Sequence, residues 1–209
     1  MKYFIEAAYE LIEKEGLELL TIRKVSDLAG YNSATLYNYF ENLDSLVAYA
    51  SLKHLKAYSA DLPKYTNEAE NSLERYFKIW ECFCHHSFSN PKQYHKIFFE
   101  KFSHSFDESL KEYYSIFPKE LTTKEKKELN PMLLKHNIHE RNIITLRSCA
   151  KDGFFDESDL YQISDICILI YQGMLDRIIS GVWETTLDES VELTISHMKA
   201  ALMSFRKEK

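Results

Sequence analysis

Apolar positions along this chain recur at steps of three and four residues almost throughout, the spacing that keeps one face of an α-helix apolar. Phe4, Ile5, Ala8, Leu11 and Ile12 form the first such stripe, which stops at Gly16. Thr21 offers an N-cap oxygen to a short helix over 22–29 that Gly30 closes, and Asn32 offers the next cap, to a segment running through Phe40. Asn42 caps a long helix holding Leu46, Val47, Tyr49 and Ala50, which Pro63 ends. Asn67 and Glu70 have capping-box spacing ahead of a stripe of Leu73, Tyr76, Phe77, Trp80, Phe83 and Cys84. Asn90-Pro91 restarts the chain into an aromatic-rich helix with Tyr94, Phe98 and Phe102, and another runs from about Phe106 to Phe117. Thr122 and Glu125 cap a charged connector that Pro131 stops, Met132 to Asp152 reads as one helix ending at Gly153, and Asp156 starts the next.

The last two helices carry seams. Leu160, Ile163, Cys167, Ile170 and Met174 step by three and four, as do Val191, Ile195, Met198, Leu202 and Phe205 after a Thr186/Glu189 capping box. The first of the two is also apolar at Ile166, Ile168, Leu169, Leu175 and Ile179, more than one monomer core requires. A homodimer closed by 160–181 and 187–206 is the expectation, with a thick monomeric core as the alternative.

Composition narrows the fold class. Only 5 Gly and 4 Pro punctuate 209 residues, too little turn chemistry for a many-stranded β protein, so the expectation is an all-α fold. Its division is a helix-turn-helix head at 1–45 on a larger helical domain at 46–209. Four Cys without paired metal-finger spacing read as thiols in a reducing compartment. The longest strongly apolar run, Ile166 to Tyr171, is too short to span a bilayer, and Met1-Lys2-Tyr3 leads into no apolar leader core. A cytoplasmic protein with no membrane partner is expected. The net charge of −6 runs against nucleic-acid binding, because Lys and Arg neutralising phosphates supply most non-specific affinity.

Two short helices meeting at Gly30 behind a longer one nevertheless make a three-helix head of the kind that lays its last helix in a DNA major groove. With Leu36 and Phe40 facing inward, a rotation of about 100° per residue sends Ala34, Thr35 and Asn38 outward and places Ser33, Tyr37 and Tyr39 on the flanks. The stretch Leu20-Thr21-Ile22-Arg23-Lys24-Val25-Ser26-Asp27-Leu28-Ala29-Gly30-Tyr31-Asn32-Ser33-Ala34-Thr35-Leu36-Tyr37-Asn38-Tyr39-Phe40 resembles the head of the tetracycline-repressor (TetR) family, over about the first 55 residues. That resemblance implies a transcriptional regulator, a repressor released from a palindromic double-stranded DNA operator by a small-molecule effector. It places Thr35 and Tyr37 on DNA, Ser33 and Ala34 at base-reading positions and Arg23 against a base; Asn32, Asn38 and Tyr39 complete the candidate DNA surface. Where the family often has a phosphate-binding Lys at the start of the fourth helix, this chain has Leu43.

A sensor domain needs a concave, mostly apolar pocket with a few polar groups to fix orientation. Tyr76, Trp80, Phe83, Tyr94, Phe98, Phe102 and Tyr113 are the aromatic candidates, and Asn137, Arg147 and Gln172 the polar ones, for a small, mainly apolar effector. Cys82 with His86, and His136 with His139 and Glu140, share helix faces and raise a metal-responsive alternative, although the Cys82/His86 face reads as the outer one. An interaction protein that has lost DNA binding is a second alternative. No Gly-x-Ser-x-Gly elbow, phosphate-cradling glycine loop or Cys-x-x-Cys occurs, so no enzyme activity and no cofactor are expected.

Overall fold

A computed structural model describes residues 1–99, 106–121, 130–135, 137–182 and 184–207. Every regular element among them is helical: α1 Lys2–Glu15, α2 Ile22–Ala29, α3 Ser33–Tyr37, α4 Leu43–Leu52, α5 His54–Thr66, α6 Ser72–Ser89, α7 Pro91–Phe99, α8 Phe106–Ile116, α9 Pro118–Leu121, α10 Asn130–Leu133, α11 Ile138–Lys151, α12 Leu160–Ser180 and α13 Leu187–Leu202. Short 3-10 turns follow α1, precede α12 and follow α13. None of these helices is long and apolar enough to cross a membrane.

α1 packs against α2 and α4, burying Phe4, Ile5, Ala8 and Ile12 with Val25, Leu36, Phe40 and Leu46 in one small core. α4 crosses the expected 45/46 boundary and links this head to the body, where α5, α11 and α13 surround α6 and α12 packs on α11 and α13.

Several boundaries differ from the expectation for identifiable reasons. The segment capped by Asn32 ends at Tyr37, followed by a turn in which the Phe40 amide reaches the Leu36 carbonyl at 3.1 Å, so Phe40 is buried without being helical. The long helix after Asn42 is two, α4 and α5, broken at Lys53, and Pro63 lies inside α5. The end of α5 is held past it by Thr66 Oγ1 donating to the Leu62 carbonyl at 2.9 Å. The cap ahead of α6 is Asn71, whose side chain accepts the Glu74 amide at 2.9 Å, and not Asn67. The helix expected over 132–152 is also two, because Asn137 caps α11 by accepting the His139 and Glu140 amides at 2.8 and 3.3 Å. The Thr122/Glu125 connector lies outside the described residues.

Candidate nucleic-acid interface and ligand cavity

Local chemistry fixes the helix-turn-helix. Thr21 Oγ1 accepts the Lys24 amide at 3.3 Å and starts α2. Gly30 ends it in the left-handed region (φ 78°), with its amide on the Asp27 carbonyl at 3.3 Å and the Tyr31 amide on the Ser26 carbonyl at 3.0 Å. This paired closure needs a residue that tolerates positive φ, and it brings Asn32 into place within two residues. Asn32 Oδ1 then accepts both the amide and the hydroxyl of Thr35, at 2.8 and 2.9 Å.

Arg23, Asn32, Ala34, Tyr37, Asn38 and Tyr39 are exposed, and Ser33 and Thr35 half-buried, over a floor of Leu36. Tyr37 is 55% exposed. Tyr39, although 53% exposed, has its ring 6.2 Å from that of Phe4, so one face of it leans on α1. Asn32 and Thr35 have a capping role, which orients the Thr35 hydroxyl. Arg23 Nε lies 3.9 Å from Asp27 Oδ2, both side chains largely in water, a contact too weak to hold the guanidinium back. Leu43 is half-buried on the core at the first turn of α4, where Asn42 and Ser45 form a reciprocal cap.

The acidity of the head is offset locally. Glu10 meets Lys14 at 2.6 Å, Glu15 meets Lys24 at 2.5 Å, Glu18 is bound by Lys92 of α7, and Asp44 lies 3.6 Å from Lys96. These carboxylates lie on α1, just after it and on α4, so they leave the exposed surface of α3 uncharged.

Between head and body lies a joint. Lys53, at the break between α4 and α5, has its ammonium 4.4 Å from the Phe117 ring centroid and 3.6 Å from Glu120. Glu120, buried on α9, also accepts the Tyr113 hydroxyl at 2.5 Å, and Tyr49 of α4 donates to Glu112 of α8 at 2.5 Å. Tyr113, expected in the ligand pocket, belongs to this joint.

A cavity opens between α5, α6, α10 and α11, with Tyr58, Ile79, Trp80, Phe83, Met132, Ile138, Arg141, Asn142 and Thr145 in its wall. Its empty volume, counted with its open mouth, is about 310 Å³. Of the ligand candidates, Trp80 and Phe83 line it. Tyr94 and Phe98 pack behind Phe83, with ring centroids 5.6 and 5.4 Å from it, and burial holds the Tyr94 hydroxyl far above its ordinary pKa. Tyr76 turns to α12, donating to Cys167 Sγ at 3.2 Å. Asn137 is a helix cap, Arg147 is exposed and Gln172 half-buried on α12; Phe102 lies outside the described residues. Tyr58, Arg141, Asn142 and Thr145 are cavity residues that the sequence reading missed.

The Cys82/His86 face is not the outer one. Cys82 is buried against α5, 3.9 Å from the Tyr58 carbonyl, and burial raises its thiol pKa, while His86 Nε2 lies 3.1 Å from Asp61 of α5. His139 and Glu140 are exposed at the start of α11, and His136 lies outside the described residues. Among the described residues no three His, Cys, Asp or Glu side chains converge as a metal site would need.

Residues 4–50 match the model of the bacterial regulatory proteins of the tetR family. The head of this chain, residues 4–50, is therefore similar to that of the tetR family. The fold of the chain agrees over nearly the whole length with TetR-family structures. A TetR family transcription regulator from Marinobacter aquaeolei superposes with a TM-score of 0.52 at 16% identity, covering 99% of this chain and 95% of that one. A TetR-family regulator from Syntrophomonas wolfei gives 0.61 at 15%, over 97% and 94%. SmeT, the repressor of the Stenotrophomonas maltophilia multidrug efflux pump SmeDEF, gives 0.53 at 16%, over 99% and 90%. No curated protein sequence matches the chain significantly. A TetR-type helix-turn-helix head is thus joined to a helical body whose fold is that of the TetR-family structures.

Proposed function

We propose that the protein is a homodimeric repressor that releases a two-fold-related operator when a small molecule enters the cavity between α5, α6 and α11. The observation that carries this reading is the position of Tyr58. It lines the cavity from α5, and α5 is separated from α4, the helix packed under the head, by Lys53 alone. The closed part of the cavity has room for about two waters, so a ligand must displace side chains to fit. Pushing on Tyr58 moves α5 against the joint at Lys53, and α4 carries that motion to α3. In a dimer the motion changes the spacing of the two α3 helices, which must match half-sites about one helical turn apart.

The docking surface is α3 with Arg23 beside it. Tyr37→Ala removes an exposed side chain that contributes little to the head's core, so DNA affinity should fall while helix content and oligomeric state stay unchanged. Arg23→Ala should relax base preference at one position of each half-site, by about 1–3 kcal/mol for one lost bidentate contact. Anisotropy titrations on cognate and scrambled duplexes check both; unchanged binding in the two variants would remove α3 from the interface. An effector should lower DNA affinity, and DNA should weaken the effector by the same factor. A compound that fills the cavity and leaves DNA affinity unaltered would contradict the coupling.

The dimer reading rests on the outer face of α12 and the residues following it. Leu169, 60% exposed, stands on the outer face of α12 with the half-buried Ile166 and Ile170 on one flank, while Ile179 and Val182, 36% and 79% exposed, lie at and just past the end of the helix. Ile168 and Leu175 are buried within the chain, as are Val191, Ile195, Met198 and Leu202 of α13, so the apolar excess is narrower than its sequence suggests. Leu202→Glu would therefore test folding, and Leu169→Glu tests association. The latter should give a folded monomer in ultracentrifugation and weaken operator binding by about a hundredfold or more, through loss of simultaneous engagement of two half-sites. A dimer that survives the substitution would move the interface elsewhere.

A further inference from the structure

Arg141 stands in the second turn of α11 and is 5% exposed. Among the described residues neither Nη1 nor Nη2 meets hydrogen-bond geometry with a partner, although the Tyr58 hydroxyl is near enough to feel the guanidinium. Its Cζ lies 5.2 Å from the Phe98 ring centroid and 5.6 Å from that of Tyr58, faces that offset only part of the cost of burying a cation. A guanidinium cannot shed its proton at any pH a folded protein meets, so the cavity wall carries a permanent positive charge.

Apart from the Tyr58 hydroxyl, the other side-chain polar groups of the wall are already engaged. Asn142 Oδ1 accepts the Trp80 indole N–H at 3.1 Å and its amide nitrogen donates to Ser164 Oγ at 3.1 Å, while the Thr145 hydroxyl donates to the Asn142 carbonyl at 2.8 Å. The charged donors left over are those of Arg141, beside the Tyr58 hydroxyl, and two N–H groups in a planar fork match the two oxygens of a carboxylate. An adjoining groove shares Ile79, Met132 and Thr145 with the cavity wall.

We propose that this cavity binds a small monocarboxylate with a flat apolar body, its carboxylate paired with the Arg141 guanidinium and its body against Trp80, Phe83 and Tyr58. That such a ligand also acts on DNA rests on the reading above; that it binds does not. Calorimetry on the full-length protein without DNA, using benzoate, phenylacetate and hexanoate each beside its primary amide, tests it. At least one acid should bind about tenfold or more tighter than its amide, because the amide leaves the cation unpaired.

Arg141→Met should erase that preference and raise the melting temperature of the ligand-free protein, since it removes a buried charge that has no partner. Arg141→Lys keeps the charge without the fork and should weaken the acid about tenfold. Equal affinity of every acid and its amide overturns the proposal, as does an acid preference that survives Arg141→Met. A melting temperature lowered by Arg141→Met also overturns it, because the guanidinium would then be a structural tie. An acid that binds through Arg141 and leaves DNA affinity unchanged keeps this inference and defeats the proposed function instead.

Discussion

Glu120→Ala is expected to destabilise the protein by about 3–5 kcal/mol, the usual cost of breaking a buried ion pair by removing one partner. Its carboxylate lies 3.6 Å from Lys53, whose side chain is 13% exposed, and accepts the Tyr113 hydroxyl at 2.5 Å. Alanine leaves a nearly buried ammonium and a buried hydroxyl uncompensated at once, with the Phe117 and Tyr9 rings still facing the charge. Lys56, also 3.5 Å away, is 60% exposed and returns to water at little cost. Glu120→Gln keeps an acceptor for Tyr113 and loses the charge, so its effect should be smaller. Urea denaturation of the three proteins gives the ordering, and a change below about 1 kcal/mol in the alanine variant would mean that the joint contributes little to stability. Because Lys53 sits where α4 gives way to α5, the same variant should blunt the response of DNA affinity to an effector.

Acid should weaken the protein through His54. This residue begins α5 with its ring 5.2 Å from that of Tyr9, and its Nε2 has no hydrogen-bond partner and lies 3.8 Å from Glu13, too far for one. Burial lowers its pKa from 6.5 to about 4. Between those two values the unfolded chain binds a proton that the folded chain rejects, so stability falls as pH drops from 6.5 towards 4 and is unaffected by this group above 6.5. The loss integrates to about 3 kcal/mol. His54→Phe keeps a ring against Tyr9 without the titration, so the stability of the variant relative to the parent should rise as pH falls across that window. Parallel stability curves for the two proteins would show that His54 titrates normally.

The head was legible because its signals are local. Thr21, Gly30, Asn32 and Asn42 each act within three residues of themselves, and all four cap where their types and spacing place them. The Thr186/Glu189 box is equally local. Misread positions answer to distant partners or to degenerate signals. No glycine or proline announces the break at Lys53, whose ammonium contacts Phe117 and Glu120 more than sixty positions along the chain. Asn67 with Glu70 and Asn71 with Glu74 repeat the same spacing, but Asn71 starts α6 while Asn67 ends α5. Arg141 follows His139 and Glu140 and reads as part of a solvated charged face. Its signal was present in the spacing, because Ile138, Asn142, Leu146 and Cys149 step by four and three, Arg141 stands three from Ile138, and all five are buried. The pattern marks Arg141 as inward, but its lack of partners appears only in three dimensions.

The central claim is that α3 reads DNA as one of a two-fold pair. Selection of the full-length protein against a random duplex library, followed by sequencing, tests it with no operator chosen in advance. The account predicts enrichment of an inverted repeat whose half-site centres lie about 10–10.5 base pairs apart, or a multiple of that, with one base position relaxed in Arg23→Ala. Recovery of no enriched sequence, with affinity for every duplex equally weak, would contradict it.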